Sequence, residues 1–341
     1  MFESYSENGH QMNIPKDDIF MKGIKVVQYP LINDEKTKQD HWNERIHRGT
    51  KAPIEIDQLV IHCSFEPDIE NVLKKNNMGA HYVIHRDGTI LQCVDESKRT
   101  YHAGVSSWAE VLGGDDNINA HSIGIEVENP TFGTTTEYTP EQTDSLIRLS
   151  KSIIARHHIK PHNVICHSDI APDRKADPGV LFMWRKLAKA GIGIFPEYTQ
   201  LPDTSMELPG NSAEGKVRNG LDCIGYRTKS EIRKKENYKE ITEIKDLLPM
   251  AWLGFMRHYM PFGVEGERPT PEQIREYRAK NPQKSTKEIM SDLSLAFMKE
   301  FETNTKADPK KQATRVSSLG LKRLQVVAHA FRMSRLKSNS R

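Results

Sequence analysis

Three residues whose side chains bind metals stand at or near the ends of apolar runs. His62 closes the run L-V-I-H, His167 closes N-V-I-C-H, and Asp177 follows ten residues later in H-S-D-I-A-P-D-R-K-A-D-P-G. Two imidazoles and one carboxylate suit zinc, and three protein ligands leave a fourth position open for water. That open position separates a catalytic metal site from a structural one. Each member also has an ordinary reading. A histidine at a strand end is commonly a core or surface residue, and Asp before Pro-Gly is commonly turn chemistry.

The elements that would position these groups form an α/β pattern over residues 54–198. Strand-length apolar runs rich in Val and Ile occur at 58–62, 81–85, 90–94, 122–128 and 163–167, ending near Gly, Asp or Ser. Strand ends deliver side chains to a cleft, where active sites commonly form. The stretch H-Y-V-I-H-R-D-G-T-I-L-Q-C-V reads as a hairpin turning at Asp87-Gly88. Thr139-Pro140-Glu141-Gln142 opens a helix with a capping box and proline at its first position. Leu146, Leu149 and Ile153 then repeat at helical spacing. His157 and His158 near its end read as complements to the helix dipole. A second helix over 180–190 stops at Gly191.

The segments G-A-H-Y-V-I-H-R-D-G, Y-H-A-G-V-S-S-W, S-I-G-I-E-V-E-N and C-H-S-D-I-A-P-D-R-K-A-D-P-G occur in this order. Together they resemble the zinc-dependent N-acetylmuramoyl-L-alanine amidases, the family of the AmpD and AmiD types, the peptidoglycan recognition proteins and the phage amidase lysozymes. G-I-G-I-F-P after the last helix is most similar to the AmiD type. The resemblance implies a mixed central β-sheet flanked by helices, with a smaller C-terminal helical domain. It implies one zinc ion per chain, held by His62, His167 and Asp177. It implies hydrolysis of the amide bond between N-acetylmuramic acid and L-alanine, with peptidoglycan or muropeptides as substrate.

Glu126 matches the family's catalytic glutamate and Lys175 its catalytic lysine. Strand alternation alone does not choose between Glu126 and Glu128, which share a face; the resemblance selects Glu126. His102 and Asn119 match positions expected near the substrate. His81 also matches a family histidine, with a buried hydrogen-bonding role equally open. Cys63 and Cys166 adjoin the expected ligands but alternate to the other face, as small core residues. The segment before S-I-G-I-E departs from the family pattern: Ala120 stands where Asp is usual, and the preceding Arg is missing. The alternative is a non-cleaving peptidoglycan recognition module. Such modules lack the third zinc ligand, so Asp177 with Glu126 and Lys175 favours cleavage.

The expected organisation is an N-terminal arm over 1–50 with one strand near 24–29 and a catalytic domain over 51–198. A linker over 199–220, rich in Pro, Gly, Ser and Asn, and a helical, peptidoglycan-binding domain over 221–305 follow. The words L-D-C-I-G-Y and G-F-M-R-H-Y-M-P resemble the wall-binding domain of AmiD-type amidases. Helices are expected to start at Thr270-Pro271 and Ser285-Thr286. Residues 306–341 form a basic, partly helical tail with ten Lys or Arg against the single acid Asp308, in a chain of net charge only +3. On its helix near 321–336, Leu324, Val327 and Phe331 share one face. Such a tail suits an anionic surface; no nucleic-acid motif is present, and no transmembrane segment is expected. Four cysteines without a CxxC pair read as free thiols. No signal peptide is visible, which points to the cytoplasm, whereas a wall substrate points to the periplasm or the cell envelope.

Overall fold

The computed structural model describes residues 14–339, apart from 16, 34–40, 48–49, 65–67, 109–117, 132, 134–135, 180, 197–207, 237–238, 261–270, 285–288 and 290–317. The chain forms two compact units. The first comprises residues 1–107, 111–167 and 177–194, and the second 108–110, 168–176 and 195–341.

The first unit is built on a six-stranded mixed sheet. Its strands are β1 (Val26–Gln28), β3 (Gln58–Ser64), β4 (Tyr82–Ile84), β5 (Ile90–Gln92), β7 (Ser122–Glu128) and β8 (Val164–Cys166), in the order β1-β5-β4-β7-β3-β8. Only β4 and β5 run antiparallel, as a hairpin whose turn holds Gly88 at φ +82°, a conformation open to glycine. β7, β3 and β8 are parallel neighbours. Their residues Leu59, Val60, Ile61, Ile123, Ile125 and Ile165 are all fully buried, as expected for strands covered on both faces. A separate antiparallel pair joins β2 (Trp42–Glu44) to β6 (Lys98–Thr100).

The helix α3 (Pro140–His157) begins as the sequence predicts. The Thr139 side chain accepts from the Gln142 amide and the Gln142 side chain accepts from the Thr139 amide. Such a cap is worth about 1 kcal/mol. Leu146, Leu149 and Ile153 are buried along one face. His157 has a more specific partner than the helix dipole: its Nε2 lies 2.6 Å from Glu96 Oε2. His158 closes the helix in the left-handed conformation, at φ 55°. The next helix, α5 (Trp184–Lys189), starts four residues later than its sequence suggests, and Gly191 follows at φ +84°.

The strand expected near 24–29 is present as β1, and the described residues around it belong to the first unit. β1 pairs in parallel with β5, β2 pairs with β6, and Met21 and Leu31 are buried in the first unit. The physical reason is apolar: Leu31 packs with Ile69, Leu73, Val83 and Leu91 in one cluster.

The second unit differs from its expected outline in two places. α6 (Ala213–Ile224) takes in the last eight residues of the expected linker, capped by Ser212, whose hydroxyl accepts from the Gly215 amide. A two-stranded antiparallel hairpin, β9 (Lys229–Glu236) with β10 (Lys239–Asp246), interrupts the expected run of helices. α7 (Leu248–Tyr259) is buried along nearly its whole length. α8 (Pro271–Lys280) starts at its expected proline, whereas the start expected at Ser285 lies outside the described residues. The last helix, α9 (Ser318–Asn339), buries Leu324, Val327 and Phe331. The helix expected near 321–336 is thus packed along the face that those three residues share. Arg323 is fully buried, donating to the carbonyls of Tyr259 and Pro196 with its guanidinium over Phe195. Residues 306–317 of the expected tail lie outside the described residues. Among the described residues, no helix is long and apolar enough to cross a membrane.

Candidate active site

The carboxyl ends of parallel strands are where open α/β sheets gather their ligands, and the register of β3, β7 and β8 explains what gathers here. His62 lies directly beside Glu126 in the β3–β7 ladder, so the two side chains leave the sheet on one face. His167 follows β8 immediately, where the strand gives way to the short helix α4 (His167–Ile170). Asp177 precedes Pro178, whose carbonyl accepts from the Tyr138 hydroxyl at 2.7 Å, a brace on the Asp177 loop. All three expected ligands are buried and converge. His62 Nδ1 and His167 Nδ1 are 3.0 Å apart, and Asp177 Oδ2 lies 3.2 Å from the second and 3.6 Å from the first.

The protons on these rings follow from the partners of their other nitrogens. The Ser122 hydroxyl gives its hydrogen to the Ile118 carbonyl at 2.6 Å, so toward His102 Nε2, 3.1 Å away, it accepts. His102 thus carries its hydrogen on Nε2 and offers a lone pair at Nδ1, 2.8 Å from His62 Nε2. His62 must then donate from Nε2, which leaves Nδ1 as a lone pair. His167 Nε2 lies 3.2 Å from the Ala103 carbonyl, which can only accept, so His167 too is unprotonated at Nδ1. Two lone pairs and a carboxylate oxygen therefore face one another in a buried space. Such a set is costly unless a cation lies among them. Donors about 2.0–2.2 Å from a tetrahedral ion of zinc's size sit roughly 3.3–3.6 Å apart, close to the observed triangle.

The neighbouring groups are committed elsewhere. Glu128 faces His85 Nδ1 at 3.0 Å and accepts from the Arg86 amide at 3.2 Å. His81 is fully buried; its Nδ1 accepts from the Gly124 amide at 2.9 Å and its Nε2 faces the Lys98 carbonyl at 3.1 Å. Burial, with the Arg45 charge second, pushes its pKa down to about 3. Of its two open roles, the structure gives His81 the hydrogen-bonding one. Cys63 and Cys166 are buried free thiols, and burial pushes the Cys63 thiol up.

His102 and Asn119, expected at the substrate, are turned into the protein instead. His102 is 8% exposed with both ring nitrogens engaged, and burial holds its pKa well below the usual histidine value. Asn119 is 4% exposed, and its Oδ1 accepts from the amides of His102 and Ala103. Gly124 makes room for this arrangement, since a Cβ there would lie 2.6 Å from the His102 ring. Lys175 is half-buried in the stretch 168–176, which packs with the second unit. Its amide donates to the Ala171 carbonyl at 3.0 Å and its carbonyl accepts from Arg257 at 2.7 Å. Sequence reasoning missed Tyr138, Ser122 and Ala103, whose contributions to the site are a hydroxyl or a backbone carbonyl and carry no motif.

A family profile described as N-acetylmuramoyl-L-alanine amidase matches residues 51–180. The amidase AmiD of Escherichia coli (strain K12) is 33% identical over 233 residues, spanning 62% of this chain and 78% of AmiD. The chain belongs to the N-acetylmuramoyl-L-alanine amidase family. The 1,6-anhydro-N-acetylmuramyl-L-alanine amidase AmpD of Haemophilus influenzae is 36% identical over 190 residues, 49% of this chain and 97% of AmpD. Among solved structures, the complex of E. coli AmiD with anhydro-N-acetylmuramic acid-L-Ala-D-gamma-Glu-L-Lys aligns with a TM-score of 0.47 at 30% identity, over 63% of this chain and 84% of that one. The amidase profile begins at residue 51, so β1, β2 and Arg45 lie outside it.

Proposed function

We propose that this amidase is zinc-dependent, with His62, His167 and Asp177 as the zinc ligands, Glu126 as general base and acid, and Lys175 as the oxyanion's partner. The observation that carries the reading is the convergence of two imidazole lone pairs and a carboxylate whose outer hydrogen bonds leave no hydrogen among them. Two imidazoles and one carboxylate with an open fourth position are the donor set of catalytic zinc. A zinc ion held there supplies a Lewis acid that polarises the amide carbonyl and acidifies water toward neutral pH.

The chain's own residues supply the remaining steps. Glu126, beside His62 in the strand register, takes a proton from the attacking water as its oxygen adds to the carbonyl carbon next to the muramic acid. It returns that proton to the L-alanine nitrogen as the carbon–nitrogen bond breaks, leaving a muramyl carboxylic acid and a free peptide amine. Lys175 donates to the carbonyl oxygen while that oxygen carries the charge.

The test is cleavage by the full chain of intact sacculi and of anhydro-muropeptides, with chelation and zinc add-back, read by mass spectrometry. Free stem peptide beginning at L-alanine, lost on chelation and restored by zinc, is expected. Binding of sacculi without cleavage at full zinc occupancy would overturn the reading.

A further inference from the structure

The ligand histidines are held from behind by one loop, and that loop is held by a residue from the N-terminal segment. His62 Nε2 donates to His102, and His167 Nε2 to the carbonyl of the next residue, Ala103. Asn119 Oδ1 accepts both amides of this pair, at 3.2 Å from His102 and 2.8 Å from Ala103. One side-chain oxygen thus fixes the peptide that orients both imidazoles.

Arg45 fixes Asn119 in turn. Its guanidinium is buried and its five N–H groups meet five backbone carbonyls. Nε donates to Glu96 at 3.2 Å, one terminal nitrogen to Asn119 at 3.2 Å and Ala120 at 2.6 Å, and the other to Lys98 at 2.5 Å and Ser122 at 3.1 Å. Five is the full donor count of the group. Burial, the first cause, pushes its pKa down to about 10, so the charge stays. The carbonyls come from three stretches of chain: the approach to β6, which leads into the His102 loop; α2 (Ile118–His121), which carries Asn119; and the start of β7, which carries Glu126. Only a planar fork reaches all three, which a lysine ammonium with three donors cannot do.

We infer that Arg45 and Asn119 are positioning residues for the metal site: they lock the His102–Ala103 loop, which fixes both ligand imidazoles with Nδ1 turned toward the metal. This rests on the proposed metal role of His62, His167 and Asp177. Partners that orient ligand histidines are typically worth about 10- to 100-fold in metal affinity. In this chain the orienting contact reaches past the ligand's own partner to a residue outside the matched amidase region.

The experiment measures zinc affinity by competition with a chromophoric chelator for the full chain and for Asn119→Ala, Asn119→Asp and Arg45→Lys. Thermal unfolding of each metal-free protein is recorded alongside. Long-range proton–nitrogen spectra of the metal-free protein at pH 8 report the histidine tautomers. Asn119→Ala and Arg45→Lys are expected to lose about 10- to 100-fold in affinity while still unfolding cooperatively. Asn119→Asp, which keeps an oxygen for the two amides, is expected to retain most of it. His62 and His167 are expected as Nε2–H tautomers in the wild type, and as mixtures in Asn119→Ala. Unchanged affinity in folded Asn119→Ala, or wild-type tautomers in that variant, would overturn the positioning role. A wild-type chain that takes up no zinc would overturn the metal reading, while the tautomers would still decide whether the loop sets the rings.

Discussion

His62, His167 and Asp177 in the first unit, and His258, Asp169 and Tyr226 in the second, are both buried imidazole–carboxylate clusters. In the second, Asp169 takes one donor at each oxygen: the Tyr226 hydroxyl at Oδ1 and His258 Nδ1, 2.7 Å away, at Oδ2. Every oxygen has a hydrogen, and the cluster ties α7 to the turn that carries Tyr226. In the first, the outer nitrogens of both rings are spent on His102 and Ala103, so acceptors meet acceptors. Burial and proximity are alike in the two. The direction of the hydrogens separates a closed hydrogen-bonded knot from a cluster of facing acceptors, the arrangement on which the proposed metal role rests.

The sharpest way to break this comparison is to change one carboxylate in each cluster. Asp177→Ala is expected to abolish zinc uptake and cleavage. Asp169→Asn is expected to retain one zinc per chain and to lose about 1–3 kcal/mol of stability, the usual cost of disturbing a buried polar pair. Elemental analysis with denaturant unfolding checks both, and zinc loss in Asp169→Asn would erase the distinction.

The same logic separates two glutamates on β7. Glu126→Gln is expected to lower kcat about 100- to 10,000-fold with zinc retained. Glu128, already committed to His85 and Arg86, is expected to lose less than about tenfold in kcat as Glu128→Gln. Steady-state kinetics on a muropeptide decides, and equal losses would mean the strand register does not select the base.

A smaller effect distinguishes His81 from His62 and His167. Its pKa falls from 6.5 to about 3 on folding, because burial and then Arg45 disfavour the charge. Between those values the unfolded chain holds the extra proton, so stability is full above about pH 6.5 and falls as pH drops toward 3. The slope from this one group is about 1.4 kcal/mol per pH unit. Urea unfolding of the metal-free protein between pH 7 and 4 should show His81→Gln shallower than the wild type by about that slope.

The sequence was legible where local pattern and chemistry coincide. The β4–β5 turn and the α3 capping box announce themselves within a few residues, whereas His62, His167 and Asp177 each carry an ordinary reading too and stood out through the family words around them. Strand alternation left Glu126 and Glu128 open and the resemblance chose Glu126; its place beside His62 is a long-range property of β3 against β7. Arg45 was hidden because its partners are backbone carbonyls, which have no residue type. The β9–β10 hairpin was missed because its strands are dense in charge and Asn237-Tyr238 between them lacks the glycine that marks a tight turn. α6 was missed because Gly215 and Gly220 in its sequence read as breakers, although Gly220 serves close packing: a Cβ there would sit 2.8 Å from Leu324.

The seating of β1 and Arg45 within the first unit has a consequence for anyone trimming the gene. A fragment begun at residue 51, where the recognisable amidase region starts, would delete an edge strand and leave five carbonyls without the donor they share. It would expose the flank of β5, a bare strand edge of the kind that recruits other chains. The shortest useful expression product therefore begins upstream of Met21. A minimal fragment that precipitates or arrives without metal would report a cut through the fold rather than a defect in catalysis.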